Sequence, residues 1–184
     1  KRKRRPDFSW GPPVAEPVTV LVPAFNEIKN IEATVRSIVA NDHPLEVLVV
    51  DDGSSDGTPE KVESLGIPNV RVLRQKNSGK PKALNAGIRA AKTDIIIMID
   101  GDTVFEPDTV RLLAQPFADP TIGAVAGNVK IANRDELIGR MQHIEYVVGF
   151  NIDRRVQDVT HSIATVPGAG GAFRRKALLQ VGGM

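Results

Sequence analysis

Two aspartates separated by one glycine, Asp100-Gly101-Asp102, hold the densest chemistry in this 184-residue chain. Carboxylates at i and i+2 repel each other unless a cation lies between or beside them. An oxygen-only donor set of this kind favours a hard divalent ion such as Mg or Mn. Gly101 carries no side chain, so a bulky ligand can approach the backbone there. The same three residues also suit a turn that caps the helix after them. The segment in front separates the two readings. Ile95, Ile96, Ile97, Met98 and Ile99 are too few for a free-standing helix and too uniformly apolar for a half-exposed strand. They predict a strand buried on both faces of a parallel sheet. Ligands of open α/β sheets sit outside the carboxyl ends of strands, which is where the acid pair falls.

Three more segments share the pattern. Val18-Thr19-Val20-Leu21-Val22 predicts a first buried strand, followed by Pro23-Ala24-Phe25-Asn26-Glu27. Those five residues offer a backbone edge to a flat ring, with Glu27 as a polar contact; taken alone, they read better as a helix start capped by Asn26. Residues 45–50 predict a second strand, closed by Asp51-Asp52-Gly53-Ser54. A carboxylate there can accept from a ribose hydroxyl or a base N–H, or it can form an Asx-type turn. Lys80 and Lys82 stand at a predicted helix N-terminus, where free N–H groups and charge favour phosphate; two solvated lysines would look the same. Gly79-Lys80 is not a Walker loop, because the required upstream glycine would fall at Arg74 and Pro81 follows the lysine. Together, three acidic strand tips and one basic helix start opening on one sheet edge suit a nucleotide diphosphate held with a metal.

The elements that position them follow from periodicity. A helix after Asn26 uses Ile28, Ile31, Val35 and Ile38. Thr58 caps a short helix with Pro59 in its first turn and Gly66 at its end. A third strand covers residues 70–73, a helix runs through Leu84, Ile88 and Ala91, and another starts near Pro107 with Val110, Leu113 and Phe117. Four strand-then-helix units imply right-handed crossovers and a mostly parallel, twisted sheet flanked by helices. Beyond it, residues 122–131 read as a strand. Asn133 with Glu136 opens a long helix striped by Leu137, Met141, Ile144, Val148, Ile152 and Val156. Residues 163–166 form a short strand, Gly168-Ala169-Gly170-Gly171-Ala172-Phe173 a glycine-rich loop or strand edge, and residues 174–181 a last helix.

Composition narrows the classes. The chain is 41% apolar and 25% charged, as in an ordinary globular domain. Its +2 charge is uneven: residues 1–5 are all basic, and without them 19 basic residues face 22 acidic ones. Such a run reads as a solvated tail, or as a segment on an anionic membrane face or a nucleic acid, with the membrane surface preferred of the last two; no nucleic-acid partner is expected of the chain. Pro6, Pro12 and Pro13 make residues 6–16 an extended lead-in, so that residues 1–16 precede one domain over 17–184. Without cysteine, neither a disulfide nor a thiolate zinc site can form. His43, His143 and His161 lack triad or metal spacing and read as packed or surface residues. No run is long enough to span a bilayer, and the chain opens on Lys1 and stops at Val181-Gly182-Gly183-Met184, both ends reading as cuts in a longer protein.

Pro-Ala-Phe-Asn-Glu at 23–27, Val-Val-Asp-Asp-Gly-Ser-Ser-Asp-Gly-Thr at 49–58, Asn-Ser-Gly-Lys-Pro-Lys-Ala-Leu-Asn at 77–85 and Asp-Gly-Asp-Thr at 100–103 resemble glycosyltransferase family 2. Gly-Ala-Gly-Gly-Ala-Phe-Arg-Arg at 168–175 is similar to its processive branch, the chitin, hyaluronan and cellulose synthase-like enzymes. The resemblance implies an α/β GT-A nucleotide-diphospho-sugar transferase fold, truncated at the C-terminus, and inverting transfer from a UDP-linked sugar to a saccharide acceptor with Mn or Mg. It implies that Pro23, Ala24, Glu27 and Asp51 hold the uridine with Asp52 in support, and that Lys80 lies by the nucleotide or its diphosphate. Asp100 would reach the ribose or the metal, Asp102 the metal, and Gly168, Ala169, Gly170 and Gly171 the sugar and acceptor side. It also implies membrane attachment through flanking segments, with residues 1–5 at the cytoplasmic face.

The family's general base belongs to an acidic motif downstream of the glycine-rich segment, and this chain stops at Met184. Inverting transfer needs that base, so the chain as given is expected to bind donor poorly and to transfer little. Two other readings compete. The apolar strand and Asp100-Gly101-Asp102-Thr103-Val104 also match the haloacid-dehalogenase phosphatases, with Asp100 as nucleophile and Asp102 as acid/base, although that motif normally opens its domain and here follows three strand-helix units. The other reading is a non-catalytic nucleotide-sugar-binding remnant.

Overall fold

The computed structural model describes residues 12–127, 166 and 170–184. In chain order the elements are β1 (Val18–Ala24), α1 (Ile31–Val39), β2 (Leu45–Asp51), α2 (Thr58–Ser64), β3 (Val70–Arg74), α3 (Lys80–Ala90), β4 (Ile95–Met98), α4 (Thr109–Ala114), a 3-10 turn (Gln115–Ala118), β5 (Ala124–Ala126), β6 (Gly171–Arg174) and α5 (Arg175–Gln180). The strands form one sheet in the order β3-β2-β1-β4-β6-β5. β1 pairs in parallel with β2 and β4, and β2 with β3. β6 runs antiparallel to β4 and to β5. The expected α/β sheet is therefore present, parallel through the first four strands and antiparallel beyond them.

The continuous apolar runs are explained by two covered faces. Val18, Val20, Val22, Val47, Val49, Ile95 and Ile97 point to one side, where they pack with Ile31, Val35 and Ile38 of α1, Val62 of α2 and Val110 of α4. Leu21, Leu48, Val50, Ile96 and Met98 point to the other, against Ala83, Leu84 and Ile88 of α3 and Leu178 of α5. Successive side chains of a strand face opposite ways, so only an unbroken apolar run can serve both cores. The α3 layer lies very close to β1: a Cβ on Gly87 would stand 2.1 Å from Leu21 Cδ1.

Several local expectations are corrected. Asn26 does not cap α1, which begins five residues later behind Asn30. Asn26 instead adopts the left-handed conformation at φ 57°, the one non-glycine residue among those described to do so, and Ile28 is left 40% exposed in the connecting turn. Thr58 is the first residue of α2 rather than its cap; Gly57, at φ 92°, takes the cap position. Phe117 lies in the 3-10 turn after α4, where Pro116 ends the α-helical pattern. Of the strand expected at 122–131, Ala124–Ala126 are strand among the described residues, and residues 128–131 lie outside them. The long helix expected from Asn133 and most of the short strand at 163–166 lie outside the described residues, as do His143 and His161.

The described part of the lead-in is docked. The Gln115 amide donates to the Pro12 carbonyl at 2.9 Å and accepts from Val14 N–H at 3.3 Å. His43 is buried, its Nε2 3.0 Å from the Glu16 carbonyl. It is a packed histidine, as its isolation in sequence suggested.

Gly87→Val should lower the unfolding free energy by about 1–3 kcal/mol, the usual cost of overpacking. Urea titration followed by circular dichroism checks this; unchanged stability would mean that α3 is not seated on Leu21.

Candidate functional site

β1, β2 and β4 end at the same sheet edge, because parallel strands in register deliver their carboxyl ends together: Ala24 pairs with Asp51 and Leu21 with Met98. β6 starts at this edge too, with Gly171 opposite Met98 and Gly170 N–H donating to the Met98 carbonyl at 2.7 Å. α3 begins there as well, after the loop that leaves β3. Four of the sequence-derived motifs therefore share one rim, and Gly170 and Gly171 of the fifth adjoin it. Gly168 and Ala169 lie outside the described residues.

The loops on the rim are braced to one another rather than free. The Asn26 N–H donates to Ser54 Oγ at 2.9 Å, and Ser55 N–H donates back to Asn26 Oδ1 at 2.9 Å. The Glu27 N–H donates to Thr58 Oγ1 at 2.9 Å, and that hydroxyl donates to Asp56 Oδ1 at 2.6 Å. Ile28 N–H donates to Asp56 Oδ2 at 3.1 Å. The Thr58 hydroxyl, helped by these backbone donors, holds the Asp56 carboxyl below the ordinary range. The β1 and β2 loops are thus one hydrogen-bonded unit. Glu27 also reaches β4's loop: a Cβ on Gly101 would meet Glu27 Cγ at 3.0 Å and the Pro23 carbonyl at 3.5 Å. Thr34 of α1 donates to the Gly101 carbonyl at 2.9 Å from a buried position.

Asp52 has a role that the sequence did not reveal. It is only 4% exposed, and its carboxylate accepts from Gln75 Nε2 at 2.7 Å, Ser78 N–H at 2.9 Å and Gly79 N–H at 2.8 Å. Burial opposes its ionisation, but the Gln75 amide and the two backbone donors outweigh burial and hold the carboxyl below its usual range. Asp52 consequently fixes the loop that launches α3. The loops touch closely, since a Cβ on Gly53 would stand 2.8 Å from Asn77 N, and Gly53 sits at φ 79°. Asp51 is 3% exposed, with Ser54 N–H at 3.3 Å from Oδ1.

The charged centre of the rim is a pair. Lys80, the first residue of α3, extends its ammonium to Asp100 Oδ1, with the two side chains 53% and 36% exposed. Asp102 is exposed on the other side of the buried Gly101. Among the described residues no three His, Cys, Asp or Glu side chains form a ready metal cage. Two carboxylates flanking a glycine fit a hard cation that takes its remaining ligands from outside the protein, as Mg and Mn do when they bind phosphates. A hollow of about 520 Å3 lies elsewhere, between residues 92–94 and 175–180 at the opposite end of β4. The acid that lines it is Asp94, at the amino end of β4 and paired with Arg174, so convergence of side chains, rather than enclosed volume, marks the site.

The residues that sequence reasoning missed are the braces. Asn26, Ser54, Asp56, Thr58 and Gln75 hold the loops in place. Asp56-Gly57-Thr58 carries the spacing of a side-chain-to-backbone turn and was legible in principle. Gln75 left no such trace.

The model of the family described as "Glycosyl transferase family 2" matches residues 19–182. The poly-beta-1,6-N-acetyl-D-glucosamine synthase of Staphylococcus aureus (strain COL) is 33% identical over 171 residues, covering 91% of this chain and 42% of that protein. The chain thus spans less than half the length of the curated relatives it matches. Among solved structures, a mannosyltransferase from Pyrobaculum calidifontis in complex with GDP-Man and Mn2+ is 30% identical with a TM-score of 0.67, covering 90% of this chain and 46% of that one. S. aureus TarS 1-349 in complex with UDP-GlcNAc is 27% identical with a TM-score of 0.59, over 65% of this chain and 36% of that one. The phosphatase reading is not favoured, because the matched family runs through all three strand-helix units that precede Asp100.

Asp52→Asn should destabilise the chain by about 1–3 kcal/mol at neutral pH by leaving buried donors without their carboxylate. A lowered folded-state pKa contributes stability above the unfolded value of about 4, and that contribution is lost as pH falls through the folded value. The gap between wild type and Asp52→Asn in urea titrations should therefore be full at pH 7 and close below about pH 4. A gap that is constant with pH would remove the ionised brace.

Proposed function

The chain belongs to glycosyl transferase family 2, and from that premise we propose that it is the donor-binding part of an inverting glycosyltransferase. The reaction moves a sugar from a nucleotide-diphospho-sugar to a saccharide acceptor. The observation that carries the reading is the Lys80–Asp100 pair set beside Asp102 on a rim built from Pro23, Ala24, Glu27 and Asp51. A diphosphate brings negative charge to a place already rich in carboxylates, so it needs cations on both flanks. Lys80 supplies one.

Asp100 and Asp102 would hold a divalent ion, Mn or Mg, which when bound neutralises charge on the departing diphosphate. Asp51 and the Ala24 backbone edge orient the nucleoside, and Glu27, packed on Gly101, keeps the acid loop from collapsing onto β1. Asp52 supports from beneath by fixing Ser78 and Gly79, and so the base of Lys80. Gly170 and Gly171, at the start of β6, lie on the side of the rim where sugar and acceptor would meet. None of the rim carboxylates is assigned the role of general base: Asp52 and Asp56 are committed to loop contacts, and Asp100 and Asp102 to the cation.

A UDP-linked donor, UDP-GlcNAc before UDP-Glc, is supported by the relation to a poly-beta-1,6-N-acetyl-D-glucosamine synthase and to TarS with UDP-GlcNAc. The mannosyltransferase complex with GDP-Man makes GDP the comparison to run against it. No described helix is long and apolar enough to cross a membrane. Residues 1–5, all basic, would lie against an anionic membrane face on the cytoplasmic side of the parent protein.

A thermal-shift series with UDP, GDP, UDP-GlcNAc and UDP-Glc, each with and without Mn2+, tests the reading. UDP compounds should raise the melting temperature only with Mn2+, and Asp102→Ala should abolish the rise. Stabilisation by GDP alone would move the donor to a guanine nucleotide. A UDP effect indifferent to both Mn2+ and Asp102 would overturn the metal-dependent site.

A further inference from the structure

Lys80 and Asp100 make their ion pair where the cation would have to bind. The base of Lys80 is fixed, since Asp52 grips Ser78 N–H and Gly79 N–H, and Lys82 and Ala83 N–H groups bond the Gly79 carbonyl in the first turn of α3. Its tip is not fixed: the side chain is 53% exposed, and its one polar contact among the described residues is Asp100. A lysine is a point charge on a four-carbon stem with three rotatable donors, so a small swing changes its partner without moving the helix. Asp100 is anchored through its backbone. Its carbonyl accepts from Thr103 N–H at 3.1 Å, and the neighbouring Gly101 carbonyl is held by Thr34.

We propose that Lys80 is a resident counter-charge for the acid loop. Without donor, its ammonium occupies the cation position beside Asp100; when a nucleoside diphosphate arrives, the ammonium transfers to the phosphate oxygens and frees Asp100 for the divalent ion. Lys80 is then a positioning residue that couples metal and nucleotide binding. Each makes room for the other, and linkage requires the coupling to be equal in both directions. The carboxylate pair is never left uncompensated, and the ion is disfavoured where no diphosphate can complete its shell. This inference rests on the proposed site of the divalent ion at Asp100 and Asp102.

The test is Mn2+ affinity of the 184-residue chain, read from the paramagnetic resonance of free ion with and without saturating UDP. The proteins are wild type, Lys80→Met, Asp100→Asn and the double variant. A half-exposed ion pair corresponds to about a two- to five-fold effect. Lys80→Met should therefore tighten nucleotide-free Mn2+ binding by about that factor, while reducing the further gain that UDP gives. The tightening should disappear in the Asp100→Asn background, because a double-mutant cycle isolates the pair from the general field of the lysine. Unchanged nucleotide-free affinity in Lys80→Met, or equal tightening with Asp100→Asn, overturns the counter-charge. Asp102→Ala separates the layers. If it abolishes Mn2+ binding while Lys80→Met has no effect, the counter-charge alone fails; if Mn2+ binding survives it, the metal site beneath fails too.

Discussion

Parallel strands covered on both faces leave a polar side chain little room except at the strand ends. β1, β2 and β4 pack between α1, α2 and α4 on one side and α3 and α5 on the other, so nearly every residue along them is apolar. The exception proves the cost: buried Thr19 is kept only by bonding Glu46 and Thr93 at 2.7 Å each. Chemistry is thereby pushed to the loops, and parallel pairing sends the carboxyl-terminal loops to one edge. The rim of acids is a consequence of the core rather than an addition to it.

Loops that carry chemistry must also keep their shape. Here the bracing is done largely by carboxylates and hydroxyls accepting backbone N–H groups, which are stronger than neutral contacts when the acceptor is charged. Asp52 ties β2 to the launch of α3, Asp56 and Thr58 tie β2's loop to β1's, and Thr34 ties α1 to Gly101. Acids of the same rim therefore do different work. Asp52 is consumed by the fold, whereas Asp100 pairs with Lys80 and Asp102 is exposed. Charge explains the division: a buried carboxylate is tolerable only when its acceptors are filled, and Asp52 fills them with three donors.

Available acids cannot sit together without a cation. Lys80 stands beside Asp100 on a helix whose start is held by the Asp52 brace. The fold thus sets a positive charge against the acid loop, at the first residue of α3. That arrangement links the architecture to the family's chemistry more directly than any single motif.

The buried strands, their order along the chain and the sheet edge on which they end were legible in the amino-acid sequence, because unbroken apolar runs and strand-helix alternation are local patterns with one dominant physical solution. Family membership was legible for the same reason: motifs at strand ends keep type and spacing. The partners of the polar side chains were not. Asn26 and Thr58 both look like helix caps in sequence, yet one takes a left-handed turn and the other receives Glu27's N–H, because each satisfies a neighbouring loop distant in the chain. Asp51 and Asp52 are the same residue type side by side, and only the approach of Gln75, Ser78 and Gly79 decides which one becomes a brace. Local sequence sets where a group stands; which donors reach it depends on how separate segments pack, and that is decided only when the chain has folded.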